Sequence, residues 1–375
     1  MYKNLVATLV AACFISPVFP QTKAQTPAQT PAQATAPTAA TAPLKIGFLY
    51  VAPLTDAGWV RQHEEGRKAV QAALGDQVKT TYVENVAEGA DAERVIRDLA
   101  ATGHQLIFTP SFGYMEPTLK VAQEFPNVKF ESITGYKTAP NVAVANARYY
   151  EGRYLAGIAA GRMTTSNVAG YVAGFPIPEV LQGINAFALG MRSVNPKAGV
   201  KVIWLNTWFD PARERDAAMT LFNQGADVMA FHTGSSAVMV AAQERGKLAI
   251  AYHSDMRNIA PDAQVLAVTH RWGAYYTARV KAVLKGNWKS SRVWGGVKDG
   301  MVKVEGFGSK VPPAVQQEVL ARQLDMAKGR LHPFKARQPV LDNVGQVVIA
   351  QGQTLSDMEI LQMNFLVQGV QGKLP

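Results

Sequence analysis

The chain has 375 residues, with 38 basic and 28 acidic side chains, a formal net charge of +10 and one cysteine, Cys13. The positive charge is spread along the chain without a run of five like charges, which predicts a basic surface and no nucleic-acid partner. A lone cysteine excludes an internal disulfide. If Cys13 is removed with a signal segment, thiol chemistry is excluded as well.

The first residues have the pattern of an export signal. Lys3 precedes an apolar run over 5–19, which is too short to cross a bilayer. Residues 22–24 (Thr-Lys-Ala) fit a cleavage site, so we expect a signal peptide over 1–24 and a periplasmic mature protein. Cys13 leaves open the alternative of a lipoprotein anchored to the membrane.

The next segment, 25–43, contains only Ala, Thr, Pro and Gln. Such a composition cannot form a core and predicts a disordered linker. The remaining chain is long for one core, which favours two lobes. It contains no apolar stretch of eighteen residues, so we expect no membrane span.

From Leu44 onward, short apolar runs alternate with amphipathic segments. In the first series the pattern predicts strands over 45–51, 78–84, 105–109, 128–133 and 142–145, and helices over 58–74, 89–102 and 115–124. In the second series it predicts helices over 150–163, 178–194, 211–224 and 236–245, and strands over 168–173, 200–205, 227–231, 248–252 and 264–268. Two further helices are predicted over 273–285 and 312–329.

This alternation predicts an α/β protein with two parallel-sheet lobes. The expected N-terminal lobe is 44–147 plus about 272–292, and the expected C-terminal lobe is 148–271 plus about 293–375. Ligands bind at the carboxyl ends of parallel strands, so we expect a ligand cleft between the lobes, with a hinge at the chain crossings.

The loops that follow the predicted strands of the first lobe contain aromatic and polar side chains. Trp59 begins a helix and is suited to stack on a planar ligand, although tryptophan beside glycine also packs in cores. The predicted ligand-binding residues of this lobe are Asp56, Trp59, Ser111, Phe112, Gly113 and Tyr114.

The second lobe offers similar loops. Asp210 precedes a helix that starts with Pro211, so we predict that it is an N-cap. Asp255 follows a strand without an obvious helix behind it, which suits hydrogen bonding to an amine or a sugar. The predicted ligand-binding residues here are Trp208, Phe209, His232, Asp255 and Trp272.

These side chains favour a flat, weakly charged ligand, and they leave purines and sugars both open. The six histidines lack close metal-binding spacing, so we expect no metal and no cofactor. A hydrolase is the alternative from another class, but no nucleophile with its His and Asp partners can be assigned. A sensor or receptor with the same ligand is a further alternative.

The chain resembles the basic membrane protein (BMP) family of ABC-transporter substrate-binding proteins in five segments. The resemblance covers nearly all of 44–335 and rests on residues 46–59 with their Asp-Ala-Gly-Trp, on 125–130, on 151–157, on 294–300 and on His-Pro-Phe at 332–334.

The resemblance implies a type I periplasmic binding protein fold, a purine ligand, and a permease and ATPase as partners of a monomeric protein. It implies stacking on the base by Trp59 and a ribose contact by Asp255. Nucleoside-binding members carry a lysine where this chain has residues 270–272 (His-Arg-Trp). Together with 111–117, this departure is similar to the subgroup associated with free adenine, so we expect a purine base, adenine first.

Overall fold

The structure is a computed structural model that describes residues 9–18, 20 and 42–374. Its contacts divide the chain into two units, Met1–Thr41 and Ala42–Pro375. In the first unit, residues 9–18 have no regular secondary structure and Cys13 is exposed. The rest of the predicted signal peptide, its cleavage site and the linker as far as residue 41 lie outside the described residues. No helix in the described ranges is long and apolar enough to cross a membrane.

The second unit consists of alternating strands and helices. In chain order, the strands are β1 (Leu44–Leu49), β2 (Val78–Val83), β3 (Leu106–Pro110), β4 (Lys129–Ile133), β5 (Val142–Ala147), β6 (Val168–Ala173), β7 (Gly199–Trp204), β8 (Val228–His232), β9 (Leu248–His253), β10 (Gln264–His270), β11 (Arg292–Gly295), β12 (Val302–Glu305), β13 (Val340–Leu341), β14 (Val347–Ile349) and β15 (Val370–Gln371).

The helices lie between these strands and cover the sheets. In chain order they are α1 (Trp59–Leu74), α2 (Ala90–Ala101), α3 (Met115–Glu124), α4 (Tyr149–Met163), α5 (Pro178–Val194), α6 (Pro211–Asn223), α7 (Ala237–Glu244), α8 (Gly273–Leu284), α9 (Pro313–Ala327) and α10 (Asp357–Leu361). The predicted N-cap is confirmed, because the Asp210 carboxylate accepts a hydrogen bond from the Arg213 backbone N–H at 3.0 Å.

Two central sheets carry the architecture. The first has the order β11-β5-β4-β3-β1-β2 and is parallel throughout, while the second has the order β12-β10-β9-β8-β6-β7-β15 with only β12 antiparallel. All residues of β3, β8 and β10 are buried, as expected for strands covered on both faces. The α/β fold class predicted from the sequence is confirmed.

The chain passes between the sheets at three places. It leaves the first sheet after Ala147, returns after His270, and leaves again between Gly295 and Val302. The last crossing differs from the expectation of about 292. It lies later because β11 pairs with β5 in the first sheet, with Trp294 opposite Asn146. Pairing beyond neighbouring elements of the chain is not visible in an apolar pattern.

The segment that follows residue 334 packs against the second sheet. The Gln182 amide donates to the Ile360 carbonyl oxygen at 2.8 Å, and the Asn185 amide donates to that of Phe365 at 2.8 Å. β15 then pairs with β7 in parallel, with Val370 opposite Val200. These contacts make the C-terminal segment part of the second half of the fold.

Candidate ligand-binding site

A cavity lies between the carboxyl ends of the two sheets, with an empty volume of about 580 Å³ when the adjoining open solvent is included. Loops and helix starts of the first half of the fold supply one side, which we call the first wall: Val51, Ala52, Pro53, Trp59, Val60, Ser111, Phe112 and Thr134. The opposite side, the second wall, consists of Ile177, Glu179, Trp208, Phe209, His232, Thr233, Gly234 and His253.

Trp59 is held in a fixed orientation at the start of α1. Its indole N–H donates to the Pro110 carbonyl oxygen at 2.8 Å. The His63 ring meets the indole edge-on, with ring centroids 4.3 Å apart. A ligand that stacks on Trp59 would therefore meet a surface that is already oriented, which limits the entropy lost on binding.

Glu88 joins the two walls. One of its carboxylate oxygens accepts hydrogen bonds from the Ser111 hydroxyl at 2.6 Å, the Gly113 N–H at 2.9 Å and, across the cleft, the Trp208 indole N–H at 3.2 Å. A side chain at Gly113 would place its Cβ 2.3 Å from the carboxylate carbon of Glu88. The glycine is thus needed for the approach of Glu88.

A second set of contacts crosses the cleft near the start of α1. The Ser254 hydroxyl oxygen accepts from the Gly58 N–H at 3.1 Å and from the Gln62 amide at 3.0 Å. Gly58 has φ +93°, and a Cβ there would lie 2.0 Å from the Gly234 carbonyl oxygen. The walls approach this closely only because residue 58 has no side chain.

Glu179 is the acidic side chain of the cavity. It lies in the first turn of α5, where the free N–H groups of the helix favour negative charge. The Asn146 amide donates to one carboxylate oxygen at 2.8 Å. The other oxygen is 3.6 Å from Nε2 of His232, too long for a hydrogen bond. The side chain is 13% exposed, so it remains available to a ligand.

Four histidines from distant parts of the chain meet beside the cavity: His63, His232, His253 and His270. All are buried. Burial lowers the pKa of each imidazole, that of His270 to about 3, so they are neutral near pH 7. Arg153 strengthens this effect for all but His63, because its buried guanidinium repels a second positive charge. Among the described residues, no group of three or more His, Cys, Asp or Glu side chains is placed to hold a metal ion.

Backbone strain occurs on both walls. Thr134 has φ +69° and His253 has φ +70°, values that non-glycine residues adopt rarely and β-branched residues least of all. Such strain is typical of sites where side-chain placement is fixed by function.

The structure brings six of the predicted site residues together around the cavity: Trp59, Ser111, Phe112, Trp208, Phe209 and His232. Five others do not line it. Asp56 is exposed, Gly113 contacts Glu88, and Tyr114 donates from its buried hydroxyl to the Val86 carbonyl oxygen at 2.6 Å.

Asp255 and Trp272 are the other two. The Asp255 carboxylate is occupied by the Arg257 guanidinium at 2.6 Å and by the Gln264 amide at 2.8 Å. It therefore acts as an ion-pair partner of Arg257 in this structure. Trp272 is fully buried, and its indole N–H donates to Nδ1 of His270 at 2.7 Å.

Glu179 and His253 line the cavity without having been predicted. Glu179 has the sequence signature of an ordinary first-turn acid. His253 ends an apolar strand and lies two residues before the predicted Asp255, so its position was a usable signal. Thr134 and Thr233 are also cavity residues that the prediction missed.

Comparison with known proteins identifies the family. The model of PnrA-like ABC transporter substrate-binding proteins, Bmp, matches residues 44–334. The chain belongs to this family. As a Bmp-family member it is an extracytoplasmic substrate-binding protein rather than an enzyme, which removes the hydrolase alternative. The resemblance found in the sequence is confirmed.

Two relatives of the chain have names that point to different ligands. A purine-binding protein of Brucella abortus (strain 2308) is 49% identical over 336 residues, 90% of this chain and 95% of that protein. TsgA13 of Haloferax volcanii, named as an ABC transporter glucose-binding protein, is 35% identical over 328 residues, 88% of this chain and 80% of that protein.

A solved structure shares the fold. The solute-binding protein of an ABC transporter system from Aeropyrum pernix K1 superposes with a TM-score of 0.67 at 19% identity, over 77% of this chain and 93% of that chain. The Bmp-family chain thus has the type I periplasmic binding protein fold, as predicted.

Proposed function

We propose that the protein binds a purine base, adenine first, in the cavity between the two walls and delivers it to the permease and ATPase of an ABC importer. The observation that carries this proposal is a cavity lined by aromatic side chains from both halves of the fold. Trp59 and Phe112 face Trp208 and Phe209 across a space with few polar groups. A planar, weakly charged ring system fits such a lining.

Glu179 supports adenine over hypoxanthine. A carboxylate only accepts hydrogen bonds, and His232 beside it is held neutral by burial, which lowers its pKa. The exocyclic amine of adenine donates to such a group, whereas the carbonyl oxygen of hypoxanthine repels it. The purine-binding relative at 49% identity supports the same ligand class.

Glucose is the competing ligand, because TsgA13 is named for it. A hexose presents hydroxyl groups around its whole edge, and each needs a polar partner when buried. The walls contribute one carboxylate and mostly apolar or aromatic side chains, which favours the purine.

We further propose that the chain reaches the periplasm through a signal peptide over 1–24 and acts there as a monomer. Lipidation at Cys13 is the alternative, and a sensor that binds the same ligand without transport is the alternative role. Intact mass of protein from the native membrane and periplasmic fractions decides the first question: a mature chain starting at Gln25 is expected, and a lipid-modified Cys13 would overturn it.

Calorimetry on protein unfolded, dialysed and refolded tests the ligand. Adenine should bind with submicromolar affinity, tighter than hypoxanthine, adenosine and glucose. Heat with glucose but with no purine would overturn the proposal. The variant Trp204→Ala is a control for the loss of a tryptophan at Trp59. Trp204 lies outside the cavity, and its indole donates to the Lys373 carbonyl oxygen. The variant should bind as the unmodified protein does.

A further inference from the structure

A line of hydrogen bonds connects the interior to the cavity. The Trp272 indole N–H donates to Nδ1 of His270 at 2.7 Å, and Nε2 of His270 lies 2.9 Å from Nδ1 of His253. His253 lines the cavity, and among the described residues its Nε2 has no hydrogen-bond partner. We call Trp272, His270 and His253 the relay.

The proton positions in the relay follow from counting donors. An indole nitrogen only donates, so Nδ1 of His270 must carry a lone pair. A neutral imidazole then has its proton on Nε2, which makes His270 the donor to His253. Nδ1 of His253 is therefore the acceptor, and the proton of His253 is on Nε2, the atom without a partner.

Charged forms would break this pattern. A doubly protonated His270 would set an N–H against the indole N–H, and a doubly protonated His253 would set an N–H against that of His270. The surroundings also oppose a second proton. Burial is the largest cause that lowers the pKa of His253, and His232, Arg153 and His63 lower it further.

The ring of His253 is fixed as firmly as its proton. Its centroid lies 3.7 Å from that of the Tyr252 ring, tilted by 37°, and it meets the His270 ring at 89°. The Arg153 guanidinium lies 3.3 Å from the centre of the Tyr252 ring. With φ +70° at His253, the backbone is strained to hold this ring at the cavity.

We propose that the relay fixes Nε2 of His253 as a permanent hydrogen-bond donor, so that the protein selects ligands that present an acceptor at that point, such as an unprotonated ring nitrogen of a purine. This inference rests on the proposed function and deepens it. Trp272 is a positioning residue that acts through His270, while His253 contacts the ligand. Together with Glu179 as the acceptor, the cavity then requires a ligand edge that carries both an acceptor and a donor.

The tautomers are measurable without any ligand. In protein labelled with ¹⁵N-histidine, two-bond ¹⁵N–¹H spectra should show His253 and His270 as neutral Nε2–H forms from pH 6 to 8. An Nδ1–H form or an imidazolium at either residue would overturn the inference. Because this readout needs no purine, it stands even if the proposed ligand class fails.

Deaza analogues test the selection. Among 1-, 3- and 7-deazaadenine, each of which replaces one ring nitrogen acceptor by C–H, one should bind at least tenfold more weakly than adenine. The same loss should vanish in His253→Phe, since the donor is gone. If adenine binds and all three analogues match it, the inference fails while the proposed function stands.

Two substitutions of buried aromatic residues distinguish the effect of the relay from the effect of altered packing. Trp272→Phe removes the donor to His270 and should move His253 toward the Nδ1–H form, with a severalfold weaker affinity for adenine. Tyr276→Phe breaks the 2.6 Å hydrogen bond to His63 in the same cluster but leaves the relay intact. Its tautomers and affinity should not change. Equal effects of the two variants on the His253 spectrum would overturn the assignment to Trp272.

Discussion

The two walls of the cavity differ in chemistry although both follow the ends of parallel strands. The first wall has no titratable side chain, whereas the second has Glu179, His232 and His253. The hydroxyl hydrogens of the first wall are also satisfied by residues of the first half of the fold: Thr134 donates to the Ile133 carbonyl oxygen at 2.6 Å and Ser111 donates to Glu88. The first wall can therefore hold a flat ligand, and the second can discriminate among such ligands.

Gly58→Ala tests whether both walls are needed at once, and we expect the largest effect from it. The new Cβ would lie 2.0 Å from the Gly234 carbonyl oxygen, so the walls cannot meet and affinity should fall on the order of 100-fold for every ligand. Gly225→Ala is the control: its φ of +94° imposes similar strain, with no atom within 4 Å. Equal affinities of the two variants would show that contact between the walls is unimportant.

Trp59→Ala removes the stacking surface of the first wall. We expect a loss of about 1–3 kcal/mol, the range of base–aromatic stacking. Adenine, hypoxanthine and adenosine should weaken by the same factor in calorimetry, since a ring face is common to all of them. A selective loss for one purine would contradict the assignment of discrimination to the second wall.

Glu179→Gln changes the second wall without changing its shape. An amide both donates and accepts, so the repulsion of a carbonyl oxygen disappears. The preference for adenine over hypoxanthine should shrink about tenfold, which corresponds to about 1.4 kcal/mol. An unchanged ratio of the two dissociation constants would remove Glu179 from ligand selection.

Asp255→Asn tests a carboxylate that lies outside the cavity, in contrast to Glu179. Asp255 pairs with Arg257, and its side chain is 33% exposed, so the variant should lower the free energy of unfolding by about 1 kcal/mol or less. The dissociation constants should keep their order. A reversal of adenine and hypoxanthine would restore Asp255 to the binding site.

His63→Gln should leave affinity nearly unchanged and alter only the pH dependence of stability. Burial lowers the pKa of His63, so the unfolded chain takes up a proton that the folded chain refuses. Stability is therefore lost as the pH falls below about 6.5, the unperturbed value, and is unaffected above it. The variant should therefore lose less unfolding free energy than the unmodified protein as the pH falls below about 6.5. Tyr276→Phe keeps the imidazole and should keep this pH dependence.

Local patterns predicted most of the fold. The helix over 178–194 and the strand over 168–173 have the predicted bounds, because apolar periodicity and flanking Pro or Gly are properties of neighbouring residues. The place of β11 beside β5 and of β15 beside β7 was not predicted, since strand pairing over more than 100 residues leaves no periodic trace.

The site was predictable where a strand end supplies an aromatic side chain, as for Trp59 and Phe112. It was not predictable where distant residues act together. His253 and His270 meet only after folding, and their proton positions depend on Trp272. Asp255 was wrongly placed at the ligand because its carboxylate already accepts hydrogen bonds from Arg257 and Gln264.

The pairing of β15 with β7 also reduces the sheet edge that is open to pairing with a strand of another molecule. β15 pairs with β7 at Val370 opposite Val200 and Gln371 opposite Lys201, so it covers part of a strand that would otherwise offer free backbone N–H and C=O groups at the sheet edge. The Bmp match ends at residue 334, so this cover comes from chain outside it. Removal of β15 would leave backbone N–H and C=O groups of β7 unpaired at this sheet edge, where a strand of another molecule can pair with them.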